Sequence, residues 1–232
     1  MALRNERRGS VLLAIDLQSL TLPALEAAVA LSAGLRCGLR VLFVADQPLP
    51  AEAEHLRRMV AEQARQFGIR WGFERARGDS VAAAFGRLRP RDALVMHRGP
   101  PASFPIAAQP PFSALDARPV LVLFDASAAA SRALAAGDAM ARVIGTELAV
   151  LIAGNGAADA ARRDAERRLA APGGRLRFIP ARSSAAALAR LARDEGAGAL
   201  VWSATPPAFA ELLDQVGCPL VAVPAAGAIT PG

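Results

Sequence analysis

Two stretches decide the fold: Val11-Leu12-Leu13-Ala14-Ile15-Asp16 and Val120-Leu121-Val122-Leu123-Phe124-Asp125. Each is a short unbroken apolar run closed by an aspartate. A run of that length without alternation suits a strand buried on both faces, as in the middle of a parallel sheet. The shift that carries Asp16 onto Asp125 also carries Val41-Leu42-Phe43-Val44 onto Val150-Leu151-Ile152-Ala153 without a gap. With slight drift, Trp71-Gly72-Phe73 parallels Leu176-Arg177-Phe178, and Asp92-Ala93-Leu94-Val95-Met96 parallels Gly198-Ala199-Leu200-Val201-Trp202. One such match is chance; the whole series in the same order is an internal repeat.

Working outward, longer segments with helical spacing separate the apolar runs. Between residues 51 and 67, Leu56, Val60, Ala64 and Phe67 fall on one face, with Arg57, Arg58, Glu62 and Arg65 mostly outside. Gly68, Gly145 and Gly173-Gly174 stand where helices should stop. The first repeat is predicted as strand 11–16, helix 20–35, strand 40–46, helix 51–67, strand 69–76, helix 80–89 and strand 92–97. The second is predicted as strand 120–125, helix 128–144, strand 148–154, helix 157–170, strand 175–181, helix 184–195, strand 198–203, helix 207–216 and strand 219–223. Alternation of this kind gives βαβ units and a mainly parallel sheet. Residues 98–118 are Pro-rich, which excludes a regular helix or central strand. The chain therefore divides into repeat 1 (1–97), a Pro-rich linker or covering loop (98–118) and repeat 2 (119–232). Repeat 1 lacks its last helix and strand, unless residues 118–122 carry a remnant of that strand. The last strand of repeat 2, Pro219-Leu220-Val221-Ala222-Val223-Pro224, has no charge to protect its edge, so the partner repeat or a second chain is expected to cover it.

The composition restricts the class of protein. Of 232 residues 53% are hydrophobic and 21% charged, which suits folded domains rather than disorder. No apolar run reaches the ~18 residues of a membrane span, and the run at 11–15 is too short for a signal-peptide core; a cytoplasmic protein is expected. Cys37 and Cys218 are far apart and show no metal-ligand spacing. The net charge is +6, and every basic residue is arginine. The arginines are scattered, many beside acids, and there is no tyrosine for base stacking. A nucleic-acid partner is not expected.

The hydrophobic first strand ending in Asp, the order of elements and the closing Cys218-Pro219-Leu220-Val221-Ala222-Val223-Pro224 together resemble the universal stress protein (UspA-like) family. The resemblance covers nearly the whole chain as a tandem pair and is best in repeat 2. It implies an α/β fold of two doubly wound parallel-sheet repeats, Rossmann-like and of the adenine nucleotide alpha hydrolase type, with strand order 3-2-1-4-5 and the first repeat truncated. Ligands in such sheets bind past the carboxyl ends of the strands, at the switch point between the first and fourth strands.

Carried over residue by residue, the nucleotide-binding candidates are Asp16 and Asp125 at the first-strand ends, Val44 at the end of the second strand, Met96 with His97 and Arg98 after the fourth strand, and Ser203 at the matching place in repeat 2. Asp16 and Asp125 have an equally simple reading as turn or cap residues. Arg98 has the chemistry to hold an anion and His97 to titrate near neutrality, though a satisfied surface pair is the simpler reading of both. In nucleotide-binding members of the family a Gly-x-x-Gly-x9-Gly-Ser/Thr loop wraps the phosphates, and its backbone N–H groups do the binding. Here His97-Arg98-Gly99-Pro100-Pro101 follows Met96 and Ser203-Ala204-Thr205-Pro206-Pro207 follows Trp202, so both loops are missing. No Walker loop, Gly-x-Ser-x-Gly elbow or metal-ligand cluster is present, so no catalytic or metal residue is assigned. The expected function is a non-catalytic regulatory or stress-response protein with a degenerate nucleotide site. It would act through a protein partner or self-association, as a pseudo-dimer of repeats or a homodimer, and no cofactor is expected. The alternative is an AMP- or ATP-binding stress sensor that uses one remaining mouth between the first and fourth strands.

Overall fold

The computed structural model describes residues 9–16, 21–46, 51–98, 112–153, 158–169 and 175–224. In chain order its elements are β1 (Ser10–Ile15), α1 (Leu22–Leu35), β2 (Gly38–Val44), α2 (Ala51–Gln66), β3 (Trp71–Ala76), α3 (Ser80–Phe85), β4 (Ala93–Met96), β5 (Val120–Phe124), α4 (Ala128–Ile144), β6 (Leu148–Ala153), α5 (Ala158–Arg168), β7 (Leu176–Ala181), α6 (Ala185–Asp194), β8 (Ala199–Ala204), α7 (Pro206–Leu213) and β9 (Leu220–Pro224).

All nine strands join one sheet, in the order β3-β2-β1-β4-β9-β8-β5-β6-β7. In the second half, β5 to β9 run in the local order 3-2-1-4-5 expected of a doubly wound sheet. Val11 pairs with Leu39 on one side and Ala93 on the other, and the same arrangement recurs as Val120 with Leu148 and Ala199. Asp16 and Asp125 each follow directly on these central strands.

Alternate strand residues feed two cores. Val11, Leu13 and Ile15 pack in one cluster with α1, α2, α4 and α5, while Leu12 and Ala14 pack in the other with α3, α6 and α7. The period of two in a strand, with both faces covered by helices, accounts for the unbroken apolar runs.

The join between the halves departs from the sequence reading in one respect. Residues 118–122 hold no remnant of a fifth strand for the first half, since β5 lies between β6 and β8. The strand beside β4 is instead β9, paired antiparallel through Leu94–Ala222, Val95–Val221 and Met96–Leu220. β9 also pairs in parallel with β8, so the apolar strand is hydrogen-bonded along both edges. Arginines pin this seam at both ends. Arg132 on α4 donates to the carbonyl of Pro90, before β4, and to that of Pro224, at the end of β9. Arg98, after β4, pairs with Asp214, after α7.

Helix ends follow local chemistry. The side chains of Thr21, Asp79, Ser127 and Ser184 accept the N–H of the residue three places on and so start α1, α3, α4 and α6. Gly145, at φ 81°, stops α4 in the left-handed region. α3 stops at Phe85 rather than 89, and the chain tightens into three-residue turns at Arg87 and Leu88 ahead of Pro90. α7 begins at Pro206, where a missing N–H costs no helical bond.

Close approach joins the two halves on the α1–α4 face. A Cβ on Gly34 would lie 2.4 Å from the Ala139 carbonyl oxygen. Residues 112–117, the described end of the Pro-rich segment, form turns over α1 and α2. Phe112 meets Phe67 at 5.0 Å between ring centres, Leu115 is buried, and the Ala114 N–H donates to Glu26 Oε2 at 2.9 Å. That end of the segment is a covering loop; residues 99–111 lie outside the described residues.

Candidate functional site

In each half the central strand and its fourth-strand neighbour end at a common mouth, and in the second half the connections from it diverge to α4 and α7 on opposite faces of the sheet. In the first half these strands are β1 and β4. Continuing the Leu13–Val95 register brings Asp16 level with Arg98.

His97 is buried, with 7% of its surface exposed. Its Nδ1 lies 2.8 Å from the hydroxyl of Thr21, the residue that caps α1. The hydroxyl accepts the Ala24 N–H, which leaves its own proton free to go to Nδ1. Nε2 is buried without a hydrogen-bond partner of ordinary geometry among the described residues. Burial holds the ring below the usual histidine range, opposed by the Gly217 backbone, so His97 is neutral at pH 7. Arg98 points its charge at Asp214 and is not an isolated cation.

Val44 and Met96 belong to the core on the α3, α6 and α7 face, at 4% and 1% exposure. Asp16 is half-buried and engaged with neighbours. Residues 17–20 and 99–111, which adjoin this mouth, lie outside the described residues.

The second mouth lies between β5 and β8. Asp125 is exposed, and its Oδ1 accepts the Ser127 N–H at 2.9 Å. Ser127 then caps α4 through the Ala130 N–H at 3.0 Å. Asp125 thus shapes the turn into α4, the simpler of the two roles open to it. Ser203 is half-buried and paired in register with Val223. One residue separates Ala204 from α7, which opens on Pro206-Pro207 and has no side-chain cap from Thr205. Proline supplies no N–H, so this helix start offers a phosphate fewer donors than a glycine loop would.

Thr21 and Asp214 matter at the first mouth, and neither stood out as a site residue in sequence. Thr21 carried a signal as a capping residue before Leu22-Pro23. Asp214 carried none, because its partner Arg98 is 116 positions away. Among the described residues no group of three or more His, Cys, Asp or Glu is placed to hold a metal ion. No described helix is long and apolar enough to cross a membrane. A cleft of about 930 Å³ lies at the amino ends of β1 to β4, away from both mouths.

The architecture, a mostly parallel doubly wound α/β sheet with its mouths at the carboxyl ends, is the fold of universal stress proteins. A universal stress protein from Archaeoglobus fulgidus superposes on 94% of this chain and 97% of its own, with a TM-score of 0.58 and 16% identity. A functionally unknown protein from Pseudomonas aeruginosa gives 0.52 at 14% identity over 94% of this chain and 93% of its own. A candidate universal stress protein from the same species gives 0.53 at 15% identity with the same coverage. No protein-family model and no curated protein matches the sequence.

Proposed function

We propose that this chain is a non-catalytic regulatory protein of the universal-stress-protein type, built as two repeats around one shared sheet, with a degenerate nucleotide site. It acts by binding a protein partner. One observation carries the reading: the polar groups at the carboxyl-end mouths are already committed to the protein itself. Arg98 is paired with Asp214, His97 is buried and neutral against Thr21, and Asp125 is tied to the Ser127 N–H. A triphosphate needs several charge-assisted hydrogen bonds, each worth about 1.5–3 kcal/mol. Taking Arg98 for this purpose would leave Asp214 unpaired.

A second reading, an AMP- or ATP-binding sensor using the β1/β4 mouth, is favoured by Nε2 of buried His97, which has no hydrogen-bond partner of ordinary geometry among the described residues. Isothermal titration with ATP and AMP separates the two. The first reading expects no binding tighter than roughly 1 mM. Micromolar ATP binding by the wild type would overturn it, and loss of that binding in Arg98→Ala would place the nucleotide at the first mouth.

A further inference from the structure

We propose that the cleft at the amino ends of β1 to β4 is a binding site for a small phosphate-bearing anion. The sheet register builds it. Ser10 is level with Gly38, Leu39 with Trp71, and Val11 with Ala93, so the loops entering these four strands end in one layer. Neighbouring strands stand about 4.8 Å apart, which brings residues of these loops to one rim. Each of the loops entering β2, β3 and β4 contributes arginine: Arg36, Arg70 and Arg89, all exposed.

The charge there is only partly compensated, Glu74 acting on Arg89 at longer range. Asp92 is the acid in the lining, and it is saturated: it accepts from Ser10 N and Oγ at 2.7 and 2.9 Å, from Arg89 N at 3.0 Å and from Arg40 Nη1 at 3.1 Å. Arg40 is shared between Asp92 and Glu74. Among the described residues the side chains of Arg36, Arg70 and Arg89 make no ion pair and no hydrogen bond.

The second half provides an internal contrast. At its amino end Arg177 is held by both Glu147 and Glu195 at 2.6 Å. Arg118 and Arg175 at that end are exposed, so the contrast is confined to Arg177.

The cleft also has features that a merely solvated patch lacks. Ser32, fully buried in α1, lies in its wall with a hydroxyl that has no hydrogen-bond partner among the described residues. Phe67 supplies an apolar surface beside the arginines. A volume of about 930 Å³ is within the range of small-molecule sites. Guanidinium groups match phosphate oxygens with paired, directional N–H donors. This ligand chemistry sits at the end of the strands opposite the β1/β4 mouth, so the inference does not depend on the function proposed above.

Inorganic pyrophosphate is the probe, titrated calorimetrically into the full chain at an ionic strength of about 0.15 M. Wild type is expected to bind it, and the Arg70→Gln/Arg89→Gln variant to bind at least tenfold more weakly. Arg98→Ala is expected to bind like wild type. Citrate, a polycarboxylate, is expected to bind at least tenfold more weakly than pyrophosphate, and equal binding would overturn the phosphate assignment. Circular dichroism melts establish that the variants fold, both substituted side chains being exposed. As a local readout, Cys37 lines the cleft and Cys218 is buried, so pyrophosphate should slow maleimide modification of Cys37. Absence of binding below roughly 10 mM, equal binding by wild type and the double variant, or a loss confined to Arg98→Ala would each overturn the proposal.

Discussion

Replacing Glu26 with glutamine should stabilise the protein above neutral pH and change it little below pH 5. Glu26 is on α1, only 1% exposed, beneath the covering turn of residues 112–117. Burial raises its carboxyl from 4.5 to about 7, opposed by hydrogen bonds from Ala114, Leu115 and Ser113. Between these values the unfolded chain has released the proton while the folded chain keeps it. Folding then takes up a proton, and stability falls as pH rises from about 4.5 to about 7, then levels off. At about 1.4 kcal/mol per tenfold change in proton affinity, the whole fall is about 3 kcal/mol. Glutamine keeps the shape and an acceptor for the Ala114 N–H but has no proton to lose. Urea unfolding of wild type and Glu26→Gln at intervals from pH 4.5 to 8.5 measures the difference directly. That difference should swing by about 3 kcal/mol in favour of the variant on going to high pH. Glu26→Ala, which also loses the hydrogen bond, should carry a pH-independent penalty on top of the same swing. A wild-type-minus-glutamine difference that stays constant across this range would refute the reasoning.

Three further perturbations test other parts of the structure. Gly34→Val should cost about 3 kcal/mol in chemical denaturation, because its Cβ would lie 2.4 Å from a backbone oxygen of α4 and the helices would have to part; a loss under about 1 kcal/mol would mean that this contact is not close. His97 lies below the ordinary histidine range, so an unfolded chain takes up its proton first; stability from this ring is present above about pH 6.5 and lost as pH falls below it, and His97→Gln should remove that part of the slope. Val221→Lys puts an ammonium on a fully buried strand bonded along both edges and should cost about 3–5 kcal/mol; unchanged mass by light scattering together with unchanged stability would count against a buried β9.

The central strands were legible because a strand covered on both faces has to be apolar throughout, unlike the edge strands β3 and β7, which carry charge. Their ends were less legible. β2 begins at Gly38 rather than 40 and β3 at Trp71 rather than 69, since hydrogen bonding, not hydropathy, sets the ends. α4 ran from 128 to 144 as expected because Ser127 and Gly145 mark both boundaries chemically. The covering of β9 was legible as a need, not as a solution: nothing local in Leu94-Val95-Met96 names Ala222, Val221 and Leu220 as partners. The sites were the least legible part. Arg98 could be read as an anion holder or as half of a surface pair, but only the fold names Asp214 as its partner, and only the fold closes residues 113–115 over Glu26. The cleft arginines read as scattered because they are scattered along the chain; only the register of four strands collects them.

The sheet's outer strands determine what assembly is open to the molecule. A strand with one bare edge invites pairing with another chain unless charge, proline or shape prevents it. Using β9 for both halves leaves β3 and β7 as the edges. β3 carries Glu74 and exposed Arg75, with Glu74 drawn toward Arg40 of the neighbouring strand. β7 carries exposed Arg177, fixed by Glu147 and Glu195, and Pro180, which removes a ladder donor. Both edges thus present charge, and one presents a proline, where a second copy would have to align. The apolar strand that most needed a partner, β9, has found one within the chain. Self-association by extension of the sheet is therefore disfavoured at both edges. Light scattering of variants that remove the edge charges, such as Arg75→Val, should then show the edges becoming adhesive, with a gain of mass at concentrations where the wild type shows none.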